Sequence, residues 1–157
     1  MSTPPKSLWR PQKTARAKRT DVSGDRGQDA FALAARLDRL RRAESAQAAA
    51  MVSAFAKQAK EAGIEPERLS ARPHSGKAVL KTDVVGWYIN RACSVGVSVA
   101  GDFYLLHAPG GLAARFKGVH LEPSDPPLEL GRGARDGESM PMEKALATRL
   151  EAGGTWP

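Results

Sequence analysis

Apolar residues recur every three or four positions through the second quarter of the chain: Leu33, Leu37 and Leu40, then Ala48, Met51, Val52, Phe55, Ala59 and Ala62. This period predicts an amphipathic helix over residues 29–63, with Asp29 as its N-cap. Gly63 stands where a helix C-terminus needs a left-handed residue, and Ile64 where an apolar side chain folds back on the last turn. Unbroken from 30 to 62, such a helix runs about 50 Å at ~1.5 Å per residue. The Ala-rich middle, AESAQAAAMVSAFA, has high helix propensity, but its apolar stripe is thin and Glu44 interrupts it. The expectation is a bend or break near 43–47, or pairing of the helix with another one.

Beyond the helix the period changes. Residues 64–77 hold Pro66, Pro73 and Gly76 and read as a connector. Residues 78–90 carry Val79, Val84, Val85, Trp87 and Ile89, and from Cys93 to Val99 the residues Val95, Val97 and Val99 alternate with Ser94, Gly96 and Ser98. Strict alternation predicts a half-buried antiparallel strand. Gly101-Asp102 predicts a two-residue hairpin turn, because glycine at the first central position suits type II′. A strand over 103–107, a turn at Ala108-Pro109-Gly110-Gly111 and a further strand over 112–121 follow. After Pro123, Pro126 and Pro127 comes an open loop, GRGARDG at 131–137, and then a short helix from a Ser139 cap to about Ala152, ended by Gly153-Gly154. The expected fold class is α+β: a long N-terminal amphipathic helix, a small antiparallel meander of three to four strands and a short C-terminal helix. The last two form one unit over 78–157. A sheet of that size needs a helix over one face.

Ahead of the helix, residues 1–28 offer only Leu8, Trp9 and Val22 as large apolar side chains, too few to offset the entropy of ordering. They are expected to form a disordered arm. Charge sharpens this division. The 157 residues carry a formal net charge of +7; residues 1–42 hold eleven Lys and Arg against four Asp, whereas 43–157 hold thirteen basic and thirteen acidic residues. The net charge therefore belongs to the arm and the start of the helix, and the β-rich unit is neutral.

Candidate chemistry is sparse. Gly137 is followed by Glu138 where a phosphate-binding loop needs lysine, and Ser75-Gly76-Lys77 has Ala71 in place of the first glycine and Ala78 in place of the hydroxyl residue. Gly96-Val97-Ser98-Val99 lacks the second glycine of a nucleophile elbow. His74, His107 and His120 form no metal-binding spacing; with Glu122 or Asp102, His107 and His120 could make an acid/base pair only if the fold brought them together. Cys93 is the single cysteine, which excludes an intrachain disulfide, and it reads as a buried small hydrophobe in a strand. No catalytic residue, metal site or cofactor is expected, and no stretch approaches the ~20 apolar residues of a membrane helix. A reducing cytoplasm fits the cysteine usage.

Flexible Lys and Arg segments bind polyanions by releasing condensed counterions. The residues expected to do so are Lys6, Arg10, Lys13, Arg16, Lys18 and Arg19 in the arm and Arg36, Arg39 and Arg42 on the flank and back of the helix. Trp9 beside Arg10 is expected either to stack on a base or to anchor in a protein pocket. The function expected from the sequence is a non-enzymatic accessory protein that contacts DNA or RNA, or a nucleic-acid-bound complex, through this basic region. The alternative is a protein-interaction module in which the helix over 30–62 pairs with itself or with a partner. The two differ in what the helix offers: cations to a phosphate backbone, or an apolar stripe to another helix.

Overall fold

The computed structural model describes residues 17–74, 78–131 and 139–156, with side chains from residue 24 onward. Helix α1 covers Ala17–Glu61 without interruption. Two expectations change here. Residues 17–28, assigned to the arm, have helical backbone, so Asp29 lies inside the helix and caps nothing; residues 1–16 lie outside the described residues. Gly24 and Gly27 each cost a helix about 1 kcal/mol relative to Ala, which lowers propensity without stopping propagation. The second change is at 43–47, where the alanine run carries the helix through Glu44 unbroken.

The chain divides into two compact units, residues 1–41 and 42–157, and the division falls within α1. In the first unit every side chain described is exposed, including Phe31 at 82%, Leu33 at 57% and Leu37 at 45%. In the second unit the remaining turns of α1 bury Ala48, Val52, Phe55, Ala56 and Ala59. The helix ends as its sequence predicts: Gly63 has φ 71°, its amide donates to the carbonyl of Lys60, and the amide of Ile64 donates back to that of Ala59. These are the two bonds of a Schellman motif. The Ile64 carbonyl in turn accepts from the Trp87 indole at 3.0 Å, which ties the helix end to the sheet.

The sheet comprises β1 (Glu67–Pro73), β2 (Leu80–Tyr88), β3 (Val95–Ser98), β4 (Phe103–Leu105) and β5 (His107–Ala108), in the order β4-β3-β2-β1-β5. The pairings from β1 to β4 are antiparallel, and β5 is parallel to β1. Because β4 and β5 are consecutive pieces of one run, that run pairs with β3 through its first half and with β1 through its second. Leu106 between them completes both seams: its amide donates to Ser94 and its carbonyl accepts from Arg72. The sheet therefore closes on itself, and β3 is buried on both faces rather than half-buried as its alternation implied.

One side of this sheet packs Trp87, Ile89, Val95, Val97 and Phe103 against α1 and against α3 (Met142–Ala152), as a sheet of this size requires. Inside the closure lie Leu69, Val84 and Leu106, continued by Ala71, Leu80 and Ala108. The space there is tight. A Cβ built on Gly86 would lie 1.9 Å from the carbonyl oxygen of Val97, so only glycine lets β2 and β3 approach this closely.

Strand β1 lies in the segment expected to be a connector. Its two prolines bracket it, and only Leu69 and Ala71 point inward, a signal too short for periodicity to register. The expected strand over 112–121 is instead helix α2 (Leu112–Lys117), which buries none of its residues, followed by a single parallel bridge between Val119 and Thr82. At the hairpin, Ser98 accepts from the Gly101 amide and donates its own amide to Asp102, with Gly101 at φ 91°. The loop is thus longer than the two-residue turn expected and places its glycine after the turn rather than at its start. A second small sheet pairs β6 (Glu129–Leu130) with β7 (Met140–Pro141). That pairing keeps the chain extended through Pro141, so α3 starts at Met142 rather than from a Ser139 cap, and its first amide donates to the Leu128 carbonyl at 2.7 Å.

Candidate functional site

The strongest constellation in the folded unit is a cavity of about 490 Å³ bounded by β1, β2, α2 and the segment after α2. Its frame comes from backbone bonds. The Val119 amide donates to Lys81 at 2.8 Å and the Asp83 amide donates to Val119 at 3.2 Å, which fixes the segment after α2 along β2. Gly118 makes the turn between them at φ 80°, and a Cβ there would sit 3.0 Å from the Lys81 carbonyl oxygen. On the other wall, β1 is irregular between Arg68 and Ser70. Buried Thr82 answers that irregularity: its hydroxyl donates to the Leu69 carbonyl at 2.7 Å and accepts from the Val84 amide at 3.1 Å. The Ser70 amide donates instead to the Tyr88 hydroxyl at 2.8 Å.

Four cationic side chains line the cavity: Arg68, Lys81, Arg115 and Lys117. All four are exposed, and among the described residues none pairs with a carboxylate. The one acid in the lining, Asp83, is already engaged by His120 and by the Leu121 amide at 3.2 Å. Slight burial opposes ionisation of Asp83, but these hydrogen bonds outweigh it and hold its pKa below the ordinary value. His120 has its second ring nitrogen 2.8 Å from Glu122. A ring whose two nitrogens both face carboxylates is favoured in its protonated form: its pKa is raised, first by the bond to Asp83 and then by that to Glu122. Four cations against one carboxylate make the cavity a concentration of positive charge within residues 43–157, which are neutral in total. Phe116 stands between Arg115 and Lys117 with 87% of its surface exposed.

His107 and His120 are not brought together as an acid/base pair. His120 pairs with Glu122 and with Asp83, a partner sequence reasoning missed, and the ring of His107 stacks on His74 with centroids 6.2 Å apart. Asp83 and Glu122 occupy opposite nitrogens of His120 and do not converge on one point. Among the described residues no group of three or more His, Cys, Asp or Glu is placed to hold a metal ion. Cys93, expected in a strand, is a half-buried turn residue at φ 54°, with burial raising its thiol pKa.

Of the residues expected to contact a polyanion, Lys6, Trp9, Arg10, Lys13 and Arg16 lie outside the described residues, and Lys18 and Arg19 fall in the first turns of α1. Arg36, Arg39 and Arg42 are exposed on α1, as are Arg26 and Arg41, and among the described residues none of them is ion-paired. The cavity cations were not anticipated. Arg115-Phe116-Lys117, an aromatic between two cations, is the local signal that could have found them. No helix among the described residues is long and apolar enough to cross a membrane. No protein-family model matches the chain, nor does any curated protein or solved structure.

Proposed function

We propose that this protein is a non-enzymatic nucleic-acid-binding accessory protein whose basic N-terminal region supplies the principal contact. The observation that carries this reading is the state of Arg36, Arg39 and Arg42: exposed, free of carboxylate partners among the described residues and repeated every three residues on one helix. Cations in that condition gain most from a phosphate backbone, since there is no internal ion pair to break and each phosphate neutralised releases counterions. The arm residues Lys6, Arg10, Lys13, Arg16, Lys18 and Arg19 extend the same charge toward the N-terminus. A binding role also accords with His120, whose two ring nitrogens are both occupied. A reducing cytoplasm is the compartment we infer from the single cysteine.

Fluorescence anisotropy with labelled DNA and RNA oligonucleotides across a salt series tests this. Charge reversal at Arg36, Arg39 and Arg42 together should weaken binding and flatten its salt dependence by roughly 0.7–0.9 in log–log slope for each phosphate left without its cation. Affinity and slope equal to those of the wild type would refute the placement.

A second reading rests on a separate observation. Leu33, Leu37 and Leu40 fall within about 60° of one another around the helix and expose 57%, 45% and 53% of their surfaces. Clustered apolar exposure of that kind marks a protein-contact surface, and we infer that pairing with another helix is the alternative use of this segment. Light scattering over a concentration series decides it: a monomer at every concentration, unchanged by Leu37→Asp, removes the case for self-association.

A further inference from the structure

We propose that the cavity lined by Arg68, Lys81, Arg115 and Lys117 is a second nucleic-acid contact, a subsite for single-stranded polynucleotide in which backbone phosphates sit among the four cations and a base stacks on Phe116. The proposal rests on the nucleic-acid-binding reading above and places a contact where the sequence implied only a neutral scaffold.

The electrostatic case is local. Four cations share one cavity of about 490 Å³. Against them the lining sets a single carboxylate, Asp83, itself bonded to His120 and to the Leu121 amide, so the positive charges outnumber the negative. Their mutual repulsion falls when an anion enters, and a phosphodiester supplies one negative charge per nucleotide.

The aromatic case is independent of charge. Helix α2 buries none of its side chains, and Phe116 is 87% exposed, so the ring contributes nothing to the core. An aromatic held in solvent between two cations is the arrangement that stacks an unpaired base while the flanking charges hold its phosphates. Bases within a duplex are already stacked on one another, which is why a single strand is the form that fits. The frame is also preorganised: the Val119–Lys81 and Asp83–Val119 backbone bonds and the Gly118 turn hold the segment after α2 along β2.

The test uses the full chain and a short fluorescein-labelled oligothymidylate at low salt, with inorganic polyphosphate as the base-free competitor. Arg115→Glu with Lys117→Glu, both exposed, should weaken oligothymidylate binding about 10–100-fold and reduce the salt slope by ~0.7 for each phosphate left without its cation. Phe116→Ala should weaken it by roughly 5–100-fold, while competition by polyphosphate against a labelled polyphosphate probe stays as in the wild type. If both cavity variants bind like the wild type while charge reversal at Arg36, Arg39 and Arg42 abolishes binding, the subsite is refuted and the N-terminal reading stands. If the cavity variants lose affinity and the helix variant does not, the subsite holds and the N-terminal placement falls. A wild type with no affinity for any oligonucleotide refutes both. Equal loss of oligothymidylate and polyphosphate binding in Phe116→Ala refutes the stacking role.

Discussion

Two phenylalanines on the same helix should respond in opposite ways to truncation. Phe55 is 2% exposed and meets Trp87 edge to face, with ring centroids 5.8 Å apart at 89°. It belongs to a buried cluster that also holds Val52 and Ala59 of α1 and Met142 of α3. Phe55→Ala removes the buried ring and leaves a cavity between α1, α3 and the sheet, at a cost of about 3–5 kcal/mol. Of that, ~0.5–1.5 kcal/mol is the loss of the aromatic pair. At roughly 2.1 cal/mol/K per residue for a unit spanning residues 42–157, this lowers Tm by about 15 °C. Phe31 is 82% exposed, so Phe31→Ala has no cavity to open and should change stability by less than ~0.5 kcal/mol. Urea unfolding followed by tryptophan fluorescence measures both, because Trp87 reports on the core directly. A loss above ~1 kcal/mol for Phe31→Ala would show that the N-terminal segment is packed for stability and would remove the reason to seek a partner for it. A loss below ~1 kcal/mol for Phe55→Ala would contradict the packing of α1 on the sheet.

Three further outcomes follow from individual contacts. Thr82→Val keeps the shape but removes the hydroxyl that serves the Leu69 carbonyl and the Val84 amide, both buried; it should cost about 1–3 kcal/mol in urea unfolding, and a neutral result would mean those groups find other partners. Cys93 holds φ 54°, where a Cβ costs roughly 1–2 kcal/mol; Cys93→Gly relieves that strain against a loss of ~0.5–1 kcal/mol in unfolded-chain entropy, so it should be neutral or mildly stabilising, and a clear destabilisation would refute the strain argument. His120 has a raised pKa and Asp83 a lowered one. Their mutual stabilisation is present at mildly acidic pH, is lost as pH falls through the depressed Asp83 value, and is lost again as pH rises through the elevated His120 value. An NMR titration of His120 in Asp83→Asn should move its midpoint down toward the ordinary imidazole value of about 6.5; an unmoved midpoint would show that Asp83 is not the principal cause.

Legibility followed the range of the interactions. The end of α1 was readable because Gly63 and Ile64 encode a motif that closes within six residues, and each of its bonds is present. The covering of the sheet by helices was readable because an apolar stripe and an alternating strand each need the other. Strand β1 was not, since it pairs through a bulge whose freed backbone groups are satisfied by Thr82 and Tyr88, residues remote in sequence. Closure of the sheet was likewise hidden: it depends on Leu106 bonding to Ser94 on one side and Arg72 on the other. At 112–117 the apolar positions Leu112 and Phe116 suit either period, and the period of a strand misleads where a helix with no buried face forms. The start of α1 was hidden for a converse reason: glycine and low hydrophobicity argue for disorder, while the backbone continues a helix well formed farther along.

The cavity shows why an even charge balance says little about where a folded unit can bind. Residues 43–157 are neutral as a sum, and a sum constrains long-range attraction but not the field inside a concave site. The acids that balance Arg68, Lys81, Arg115 and Lys117 lie elsewhere or, like Asp83, are held by a histidine. Folding separated the signs by bringing β1, β2 and the α2 segment together, three stretches that carry unremarkable charge individually. Placing cations this way leaves their repulsion unrelieved in the free protein, so the site gains more from a phosphate than scattered surface lysines do. On the proposed reading the N-terminal arginines would act over distance and lose force with salt. The proposed cavity contact would act at short range and would add the salt-insensitive ring of Phe116. The two proposed contacts would thus differ in the step of binding that each governs. That division predicts different signatures in kinetics: charge reversal on α1 slows association, whereas Phe116→Ala speeds dissociation and leaves the association rate nearly unchanged.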